Sequence, residues 1–576
     1  MVNTIKKIID LIKQNKILAI VSMCHYLLSF LFDTFIFNGF GNILNVIYYL
    51  GCKGIFFFVV IIMWYYIFKL IKGIKNKDKN TYRFLTYFVI YFSVMFVFYL
   101  LTFPGMWRHD DFFIAKDALY HAPFFWHHYL TSVYFSISLM LCFEPMFLVF
   151  VQIVLVSIII SYILYIVDDV IYNRIGKHSR LVLLLFIPFF FPSVISNNLF
   201  MFRSVMYGYL ELLFLFNLAL VIFDKKYLTK TFAATMAVLF AVVVNWRSES
   251  IVYYIVIPVA ILLLKNIVKI KTMLKYLGVC LGLAVIVYSP QFMGELMAYG
   301  FNYKFTALML PLHSFVQVDK EKNPNSEEIL ILDEYFDTDE FITYVDGEWA
   351  YWNMYELNSL FITEDIYNEF FSVYKNYIFK YPGTFLKNRL KTMLYTNSIG
   401  KDDYLTTVQS VIDMEYKDIY NGSEVNDKVL NSKIRNATVK FLKCRNLKDI
   451  SKKSFTNIIF WNFLPSILIT AVAAIVLLIK KKWKYALVIA FTLLRHFVIF
   501  LTAPGYYFMY YYSIYIIGLF ILILAILCYV VHKKYKIINS EKIEENKTNI
   551  ESESNTIENI EQEKTANWCR NYWKTA

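Results

Sequence analysis

The chain has 576 residues, of which 58% are hydrophobic, 19% aromatic and 18% charged. Soluble domains carry roughly 25% charged residues. The composition therefore excludes a single soluble globular protein, and the abundance of apolar residues excludes a disordered one. Because the apolar residues are concentrated in long runs, the sequence predicts an all-α, polytopic membrane protein.

The formal net charge is +13. In a membrane protein, much of such an excess belongs to cytoplasmic loops. The basic balance therefore does not indicate nucleic-acid binding, and no nucleic-acid partner is expected. The seven cysteines are scattered and form no CxxC motif, so neither a disulfide framework nor a zinc module is predicted.

Thirteen apolar segments are candidates for crossing the membrane, which takes about 20 apolar residues per helix. The clear candidates are 17–37, 53–71, 84–103, 146–167, 205–223, 456–479, 485–502 and 512–532, and the shorter ones are 129–143, 181–195, 231–245, 251–264 and 276–292. The basic connections between them obey the positive-inside rule best if 129–143 or 181–195 is inserted only partly. We prefer 129–143 as the partial one and expect 12–13 transmembrane helices.

The spans divide the chain into four expected parts. They are an N-terminal membrane domain (1–294) with a first outer loop (104–128), a mixed extracytoplasmic loop domain (295–455), C-terminal membrane helices (456–532), and a disordered cytoplasmic tail (533–576). The basic amphipathic start, Met1 to Lys16, is expected to be a cytoplasmic anchor. The sequence contains no internal repeat of the kind that many transporters have.

The first outer loop carries an unusual set of reactive side chains: Arg108, Asp110, Asp111 and His127, among interleaved aromatic residues. A partly desolvated carboxylate near the membrane surface has a raised pKa and can serve as a base. An adjacent arginine can bind a phosphate group. The competing interpretation is a solvated loop beside an aromatic belt.

Three further sites place charge in or beside apolar segments. They are Arg203, Arg247 with Glu249, and the Arg495-His496 pair in the sequence LLRHF. Ionisable residues are costly in such positions and are functional candidates. Local ion pairing is the alternative for Arg247, whereas Arg495 has no carboxylate near it in the sequence, which favours a role in ligand binding.

The polar block 295–455 is expected to contain two kinds of surface. Between Asp319 and Glu356 there are twelve acidic residues and only two lysines, which predicts a solvated acidic surface. The segment 381–394 is amphipathic and basic, and it is predicted to rest on the membrane.

The order of motifs in the first outer loop resembles a known superfamily. An apolar span is followed by Pro104-Gly105, by Asp110 after four further residues, and by a Trp-His pair at His127 that opens the next apolar segment. This order resembles the GT-C polytopic glycosyltransferases and, more closely, a poorly characterised bacterial group of GT-C-like proteins linked to cell-surface polysaccharides. The resemblance covers the layout of residues 84–300 and, more faintly, 456–520. His128 stands where the superfamily commonly has a proline.

The resemblance implies roles for these residues. Asp110, with Asp111 beside it, matches the acidic residue that acts as base or metal ligand, and His127 matches the histidine of the motif. Arg108, Arg203, Arg247, Arg495 and His496 are then the candidates for binding the donor phosphate. These residues require no cofactor, but the resemblance leaves open whether a divalent cation binds at the acidic residue.

The implied reaction is the transfer of a sugar, with inversion, from a polyprenyl-phosphate-linked donor such as an undecaprenyl-phosphate derivative. The acceptor would be a cell-surface glycan or glycolipid at the outer face of a bacterial cytoplasmic membrane, and membrane lipids would surround the protein. The alternatives are a polysaccharide polymerase or flippase, another multipass transporter of the envelope, and a non-catalytic scaffold. A polymerase would not need the acidic residue of the first outer loop, and a transporter would need paired charges near the bilayer midplane.

Overall fold

The computed structural model describes residues 16–107, 109–176, 178–255, 258–259, 269–397, 430–444 and 455–534. In these ranges the regular secondary structure is entirely helical, with no strand. Arg108, most of the predicted span 251–264 and the predicted tail from residue 535 onward lie outside the described residues.

The α-helices follow one another through short connections. In chain order they are α1 (Lys16–Ile36), α2 (Ile43–Lys75), α3 (Lys79–Leu101), α4 (His109–Leu119), α5 (Leu130–Cys142), α6 (Leu148–Ile175), α7 (Pro192–Asn198), α8 (Arg203–Phe223), α9 (Lys230–Trp246), α10 (Ile270–Tyr299), α11 (Asn302–Lys322), α12 (Glu327–Asp333), α13 (Thr338–Thr343), α14 (Gly347–Asn353), α15 (Tyr355–Ser359), α16 (Glu364–Lys380), α17 (Pro382–Thr396), α18 (Ser432–Lys443), α19 (Phe455–Phe460), α20 (Leu464–Ile479), α21 (Trp483–Thr502) and α22 (Tyr512–Lys534). Tighter 3₁₀ turns cover Pro145–Phe147, Arg180–Phe190, Lys225–Tyr227, Ser248–Val252 and Phe508–Tyr510.

The described residues contain nine helical segments that are long and apolar enough to cross a membrane. A tenth is obtained if Arg180–Phe190 and Pro192–Asn198, which meet at an angle of 71°, count as one broken span. The prediction of an all-α, multi-pass membrane protein is therefore confirmed. The described residues do not reach the expected 12–13 spans, because α5 and α9 have only 13 and 17 residues, less than the roughly 20 that a bilayer requires.

The region 129–195 differs in detail from its prediction. Helix α5 is short and ends at Phe143, whose backbone is left-handed with φ 56°. The segment 181–195 is interrupted before Pro192, which starts helix α7 and, like any proline, disfavours a helical conformation in the residue before it. The prediction was that one span in this region is incomplete. In the structure, both α5 and the segment 181–195 are incomplete or broken spans.

The polar block contains a helical subdomain built around α11. Helices α13, α14, α16 and α17 all pack on α11. Their shared core comprises apolar residues with little or no exposure, such as Phe305, Leu312, Phe315, Phe341 and Phe370. Residues 295–397 and 430–444, the described part of the block, are helical wherever they are regular. The mixed structure expected for this block is therefore not found in its described part.

The acidic stretch of this block is only partly a solvated surface, in contrast to its prediction. Asp319 is fully buried, where it accepts a hydrogen bond from the Tyr381 hydroxyl at 2.6 Å and pairs with Lys380 at 3.0 Å. Asp346 is also buried and accepts a hydrogen bond from Trp349 N at 2.9 Å, which caps helix α14. Burial of these carboxylates is compatible with folding because each has polar partners.

Helix α17 is amphipathic, as its sequence predicts. Its exposed face carries Leu386, Lys387 and Leu390, and its opposite face buries Arg389. The Arg389 guanidinium donates to the carbonyl oxygen of Ala503 at 3.0 Å. This contact attaches α17 to the connection that follows helix α21.

The described residues divide into two compact units. One comprises residues up to 163 together with 186–521, and the other comprises 164–185 together with the residues that follow 521. All residues of the candidate site described below belong to the first unit.

Candidate functional site

The turn before helix α4 is held in place by close backbone contacts. Gly105 has φ +100°, a conformation that side chains rarely adopt, and a Cβ atom there would lie 2.7 Å from Val149 and 3.1 Å from the Leu199 carbonyl oxygen. The Met106 amide donates to that same Leu199 carbonyl at 2.8 Å. Arg435 of helix α18 donates to the Gly105 carbonyl at 3.1 Å. These contacts fix the start of α4 and hence the position of its first acidic residues.

The two adjacent carboxylates of α4 lie in different surroundings. Asp111 is fully buried, whereas 41% of the Asp110 side chain is exposed. The Asp110 Oδ2 atom lies 3.8 Å from the Nε2 atom of His127, which is longer than a hydrogen bond. Of these two carboxylates, Asp110 is thus the accessible one, and the buried His127 ring lies beside it.

His127 is buried in an environment that keeps its ring neutral. Burial lowers the pKa of His127 well below its ordinary value, and the positive charges of Arg203 and Arg247 lower it further. Its ring lies 6.4 Å from that of Phe202, which precedes helix α8. The neutral imidazole therefore connects Asp110 to the start of α8. His128, next in sequence, has its pKa lowered to about 3 by burial and by Arg203.

The start of helix α8 has the features of an anion-binding site. Its N-terminal flanking residue, Phe202, provides no side-chain cap, and free N–H groups at a helix N-terminus attract negative charge. Arg203 is the first residue of the helix and is only 6% exposed. Its guanidinium donates to the Tyr303 hydroxyl at 3.3 Å, but its Nε atom has no hydrogen-bond partner, and neither does the buried Oγ atom of Ser204.

A chain of buried ion pairs lies next to this helix start. Arg247 pairs with Glu249, and Glu249 in turn accepts from Arg495 at 2.9 Å. Arg495 also binds Glu211 at 3.0 Å, and its guanidinium stacks 4.4 Å from the Tyr207 ring. Burial alone would raise the pKa of Glu249, but the two arginines hold it below its ordinary value.

The fold corrects the sequence argument for Arg495. No carboxylate is near it in the sequence, yet folding brings Glu211 and Glu249 against its guanidinium. The alternative of local ion pairing, in contrast, holds for Arg247 and Glu249. His496 is buried beside Arg495, with its Nδ1 atom 2.7 Å from the Thr492 carbonyl oxygen.

The arginine cluster has more positive charge than its carboxylates compensate. Three guanidinium groups, those of Arg203, Arg247 and Arg495, face the two carboxylates of Glu211 and Glu249. Arg495 binds both carboxylates through its Nη1 and Nη2 atoms. The Nη1 atom of Arg247 and the Nε atoms of Arg203 and Arg495 have no partner. Buried cationic donors without partners are costly, so an anion bound at these atoms would stabilise the cluster.

Two residues that the sequence argument did not single out complete the site. Tyr510 packs against Arg247, whose guanidinium carbon lies 5.6 Å from the ring centre. Glu348 of helix α14 is close enough to Asp110 for the Asp110 charge to raise the pKa of the Glu348 carboxyl group. In the sequence, Glu348 is one of twelve acidic residues in a polar stretch, and no local pattern distinguishes it from the others.

An aromatic wall lies beside the Asp110–His127 pair. The Trp126 ring meets those of Tyr299, Tyr303 and Trp352 edge-on, with centroids 5.3–5.6 Å apart. Because Tyr303 also contacts Arg203, the wall extends from the arginine cluster towards the partly exposed Trp352.

The structure thus brings together Asp110, His127, Arg203 and Arg247. Arg495 is linked to Arg247 through their shared partner, Glu249. Arg108 lies outside the described residues. In the described ranges, no group of three His, Cys, Asp or Glu side chains is placed to hold a metal ion. Comparisons of the chain with protein-family models, with curated proteins and with solved structures found no match.

Proposed function

We propose that this chain is a membrane glycosyltransferase of GT-C type. It transfers a sugar from a polyprenyl-phosphate-linked donor to a cell-surface glycan or glycolipid, with inversion, at the outer face of a bacterial cytoplasmic membrane. The observation that carries the proposal is that the accessible Asp110 lies beside the buried His127 ring, on which the charges of Arg203 and Arg247 act, and that both arginines keep a donor atom without a partner. Such a transfer requires a base and a phosphate-binding site in the same pocket.

Each part of the site has a defined role in this reaction. The acceptor hydroxyl loses its proton to Asp110 as its oxygen attacks the anomeric carbon of the donor. The bond from that carbon to the phosphate oxygen breaks, and its electron pair stays on the phosphate. Arg203, Arg247 and the N-terminus of α8 stabilise the charge that develops there. A single displacement of this kind inverts the anomeric centre.

Arg495 has an indirect role in this proposal. Its two carboxylate partners already compensate its charge, so it is a positioning residue rather than a phosphate ligand. It holds Glu249, which in turn orients Arg247. His127 lies beside Asp110 and stays neutral, so it does not neutralise the carboxylate that must accept the proton.

The phosphate site can be tested by lipid binding. The purified full chain in nanodiscs would be titrated with undecaprenyl phosphate, and binding compared with that of Arg203→Gln. Loss of a charge-assisted contact should weaken binding roughly 10- to 100-fold. Lys387→Gln, which removes an exposed cation of helix α17, should bind like the wild type. Equal affinity of Arg203→Gln and the wild type would contradict the phosphate site.

A flippase or other transporter of the envelope is the second candidate, and one observation favours it. Paired charges lie within candidate spans: Glu211 with Arg495 at 3.0 Å, and Asp33 with Lys53 at 2.6 Å. Intramembrane ion pairs are common along transport pathways. The test is to reconstitute Asp110→Asn in liposomes and to measure the transport of lipid-linked glycan. Transport that persists in this variant would favour the transporter over the transferase.

A further inference from the structure

Helix α14 is held rigidly against α11. A Cβ atom on Gly347 would collide with the carbonyl oxygen of Met309, so the two backbones approach as closely as glycine permits. Asp346 caps the helix through the Trp349 amide at 2.9 Å. Glu348, the second residue of α14, therefore extends from a fixed backbone.

The carboxyl end of Glu348 fits against the connection between α21 and α22. A Cβ atom on Gly505 would collide with the Glu348 Oε2 atom, so the absence of a side chain at residue 505 makes room for this carboxyl group. Tyr507 is within hydrogen-bonding reach of Glu348. The Oε2 atom is buried and has no hydrogen-bond partner.

The groups around Glu348 favour its neutral form. Burial raises its pKa to about 8. The hydrogen bond with Tyr507 opposes this effect, and the weaker effects of the Asp346 and Asp110 charges add to it. Glu348 is therefore mostly protonated at neutral pH and has an O–H group to donate.

The tyrosines and the histidine near Glu348 do not change charge between pH 7 and 9. Burial raises the pKa of Tyr506, Tyr507 and Tyr510. His313, which packs against Gly347 from α11, has its pKa lowered by burial. Tyr510 is near enough to Glu348 for the two groups to interact electrostatically, and its ring packs against Arg247 of the phosphate site.

We infer that the Glu348 carboxyl group belongs to the donor site and donates a hydrogen bond to the phosphate group of the lipid-linked sugar. The inference rests on the proposed function, because it assigns Glu348 to the same phosphate that Arg203 and Arg247 bind. Glu348 keeps its proton throughout the reaction, and the acceptor proton goes to Asp110. When Glu348 ionises, its charge repels the phosphate, so ionisation should weaken donor binding.

The experiment measures the affinity for undecaprenyl phosphate between pH 7 and 9.5, with the full chain in nanodiscs. A phosphate monoester has its second pKa near 6 and is fully ionised across this range. Wild-type affinity should fall about tenfold or more as the pH rises past 8, as expected for two like charges in contact. Glu348→Gln, which is permanently neutral, should keep its affinity at high pH.

Two further variants make the test specific. Glu364→Gln, at an exposed carboxylate of the same polar block, should show the same pH dependence as the wild type. Glu348→Asp should bind more weakly at every pH, because its shorter side chain withdraws the O–H group, and should still lose affinity at high pH.

The possible failures are distinguishable. The affinity for undecaprenyl phosphate could fall equally with pH in Glu348→Gln and in the wild type, or it could stay constant in both. Either result would overturn the assignment of Glu348 alone. Absence of any binding by the wild type would overturn the proposed function and the Glu348 contact together.

Discussion

The Nε2 atom of His127 lies 3.8 Å from the Oδ2 atom of Asp110, and only 5% of the His127 side chain is exposed. The two residues are separated by helix α4 and by the connection that follows it. Their proximity places the accessible member of the Asp110–Asp111 pair next to a buried ring, and the charges of Arg203 and Arg247 act on that ring. His127 is therefore the residue that links the surroundings of Asp110 to those of Arg203.

The pH dependence of the reaction should not include an ionisation of His127. An ordinary histidine takes up a proton as the pH falls through 6.5, but burial and the charges of Arg203 and Arg247 lower the pKa of His127 well below that value. Between pH 7 and 6 its charge stays at zero, so kcat/KM should show no inflection there from this group. An inflection near pH 6.5 that disappears in His127→Gln would show that the ring is protonated in the working range.

Gly505→Ala should impair transfer while leaving the fold intact. The added Cβ atom would collide with Glu348 Oε2, and a flexible carboxylate can move away at little cost in stability. A displacement of about 1 Å in a catalytic site can cost about 100-fold in rate, so we expect a loss of this order in kcat/KM. The matched control is Gly383→Ala, because a Cβ atom on Gly383 has no neighbour within 4 Å. Equal activity of the two variants would mean that the position of Glu348 is not important.

Arg495→Met should destabilise the protein strongly. It leaves Glu211 buried without its cationic partner, and breaking a buried ion pair in this way costs about 3–5 kcal/mol. Thermal unfolding in detergent should show a clear loss of stability. Replacing Glu211 by Gln in the same chain should restore most of it, because Glu249 retains Arg247. Lys480→Gln, at an exposed helix end, should change stability by less than about 0.5 kcal/mol. A small effect of Arg495→Met would show that the pair contributes little.

The class of the fold follows from the sequence because apolar runs have to be buried in lipid as helices. The exact number of spans does not follow from it. Helix α9 ends at Trp246 after 17 residues, and the segment 181–195 breaks at Pro192. Both features depend on how neighbouring helices pack. The hydrophobicity profile of the sequence contains no information about that packing.

The candidate site was predictable only in part, for a related reason. Asp110, Arg203 and Arg247 stand out because charge is costly beside apolar segments. The partners of Arg495, however, lie far from it in the sequence, at Glu211 and Glu249. Glu348 is inconspicuous among many acidic residues, and only the close approach of Gly505 and Tyr507 gives it a distinct environment. Such long-range contacts follow from tertiary packing and have no local sequence signal.

The most direct test of the proposed function is sugar transfer by Asp110→Asn. The full chain in nanodiscs would be supplied with radiolabelled polyprenyl-phosphate-linked sugars and with envelope glycan acceptors, and undecaprenyl phosphate binding would be measured in parallel. Asp117→Asn, which removes a carboxylate of the same helix, is the control. We predict that Asp110→Asn loses turnover by about 100-fold or more, the order expected for loss of a general base, while it binds the lipid phosphate like the wild type and Asp117→Asn remains active. Full transfer activity in Asp110→Asn would contradict the proposed mechanism.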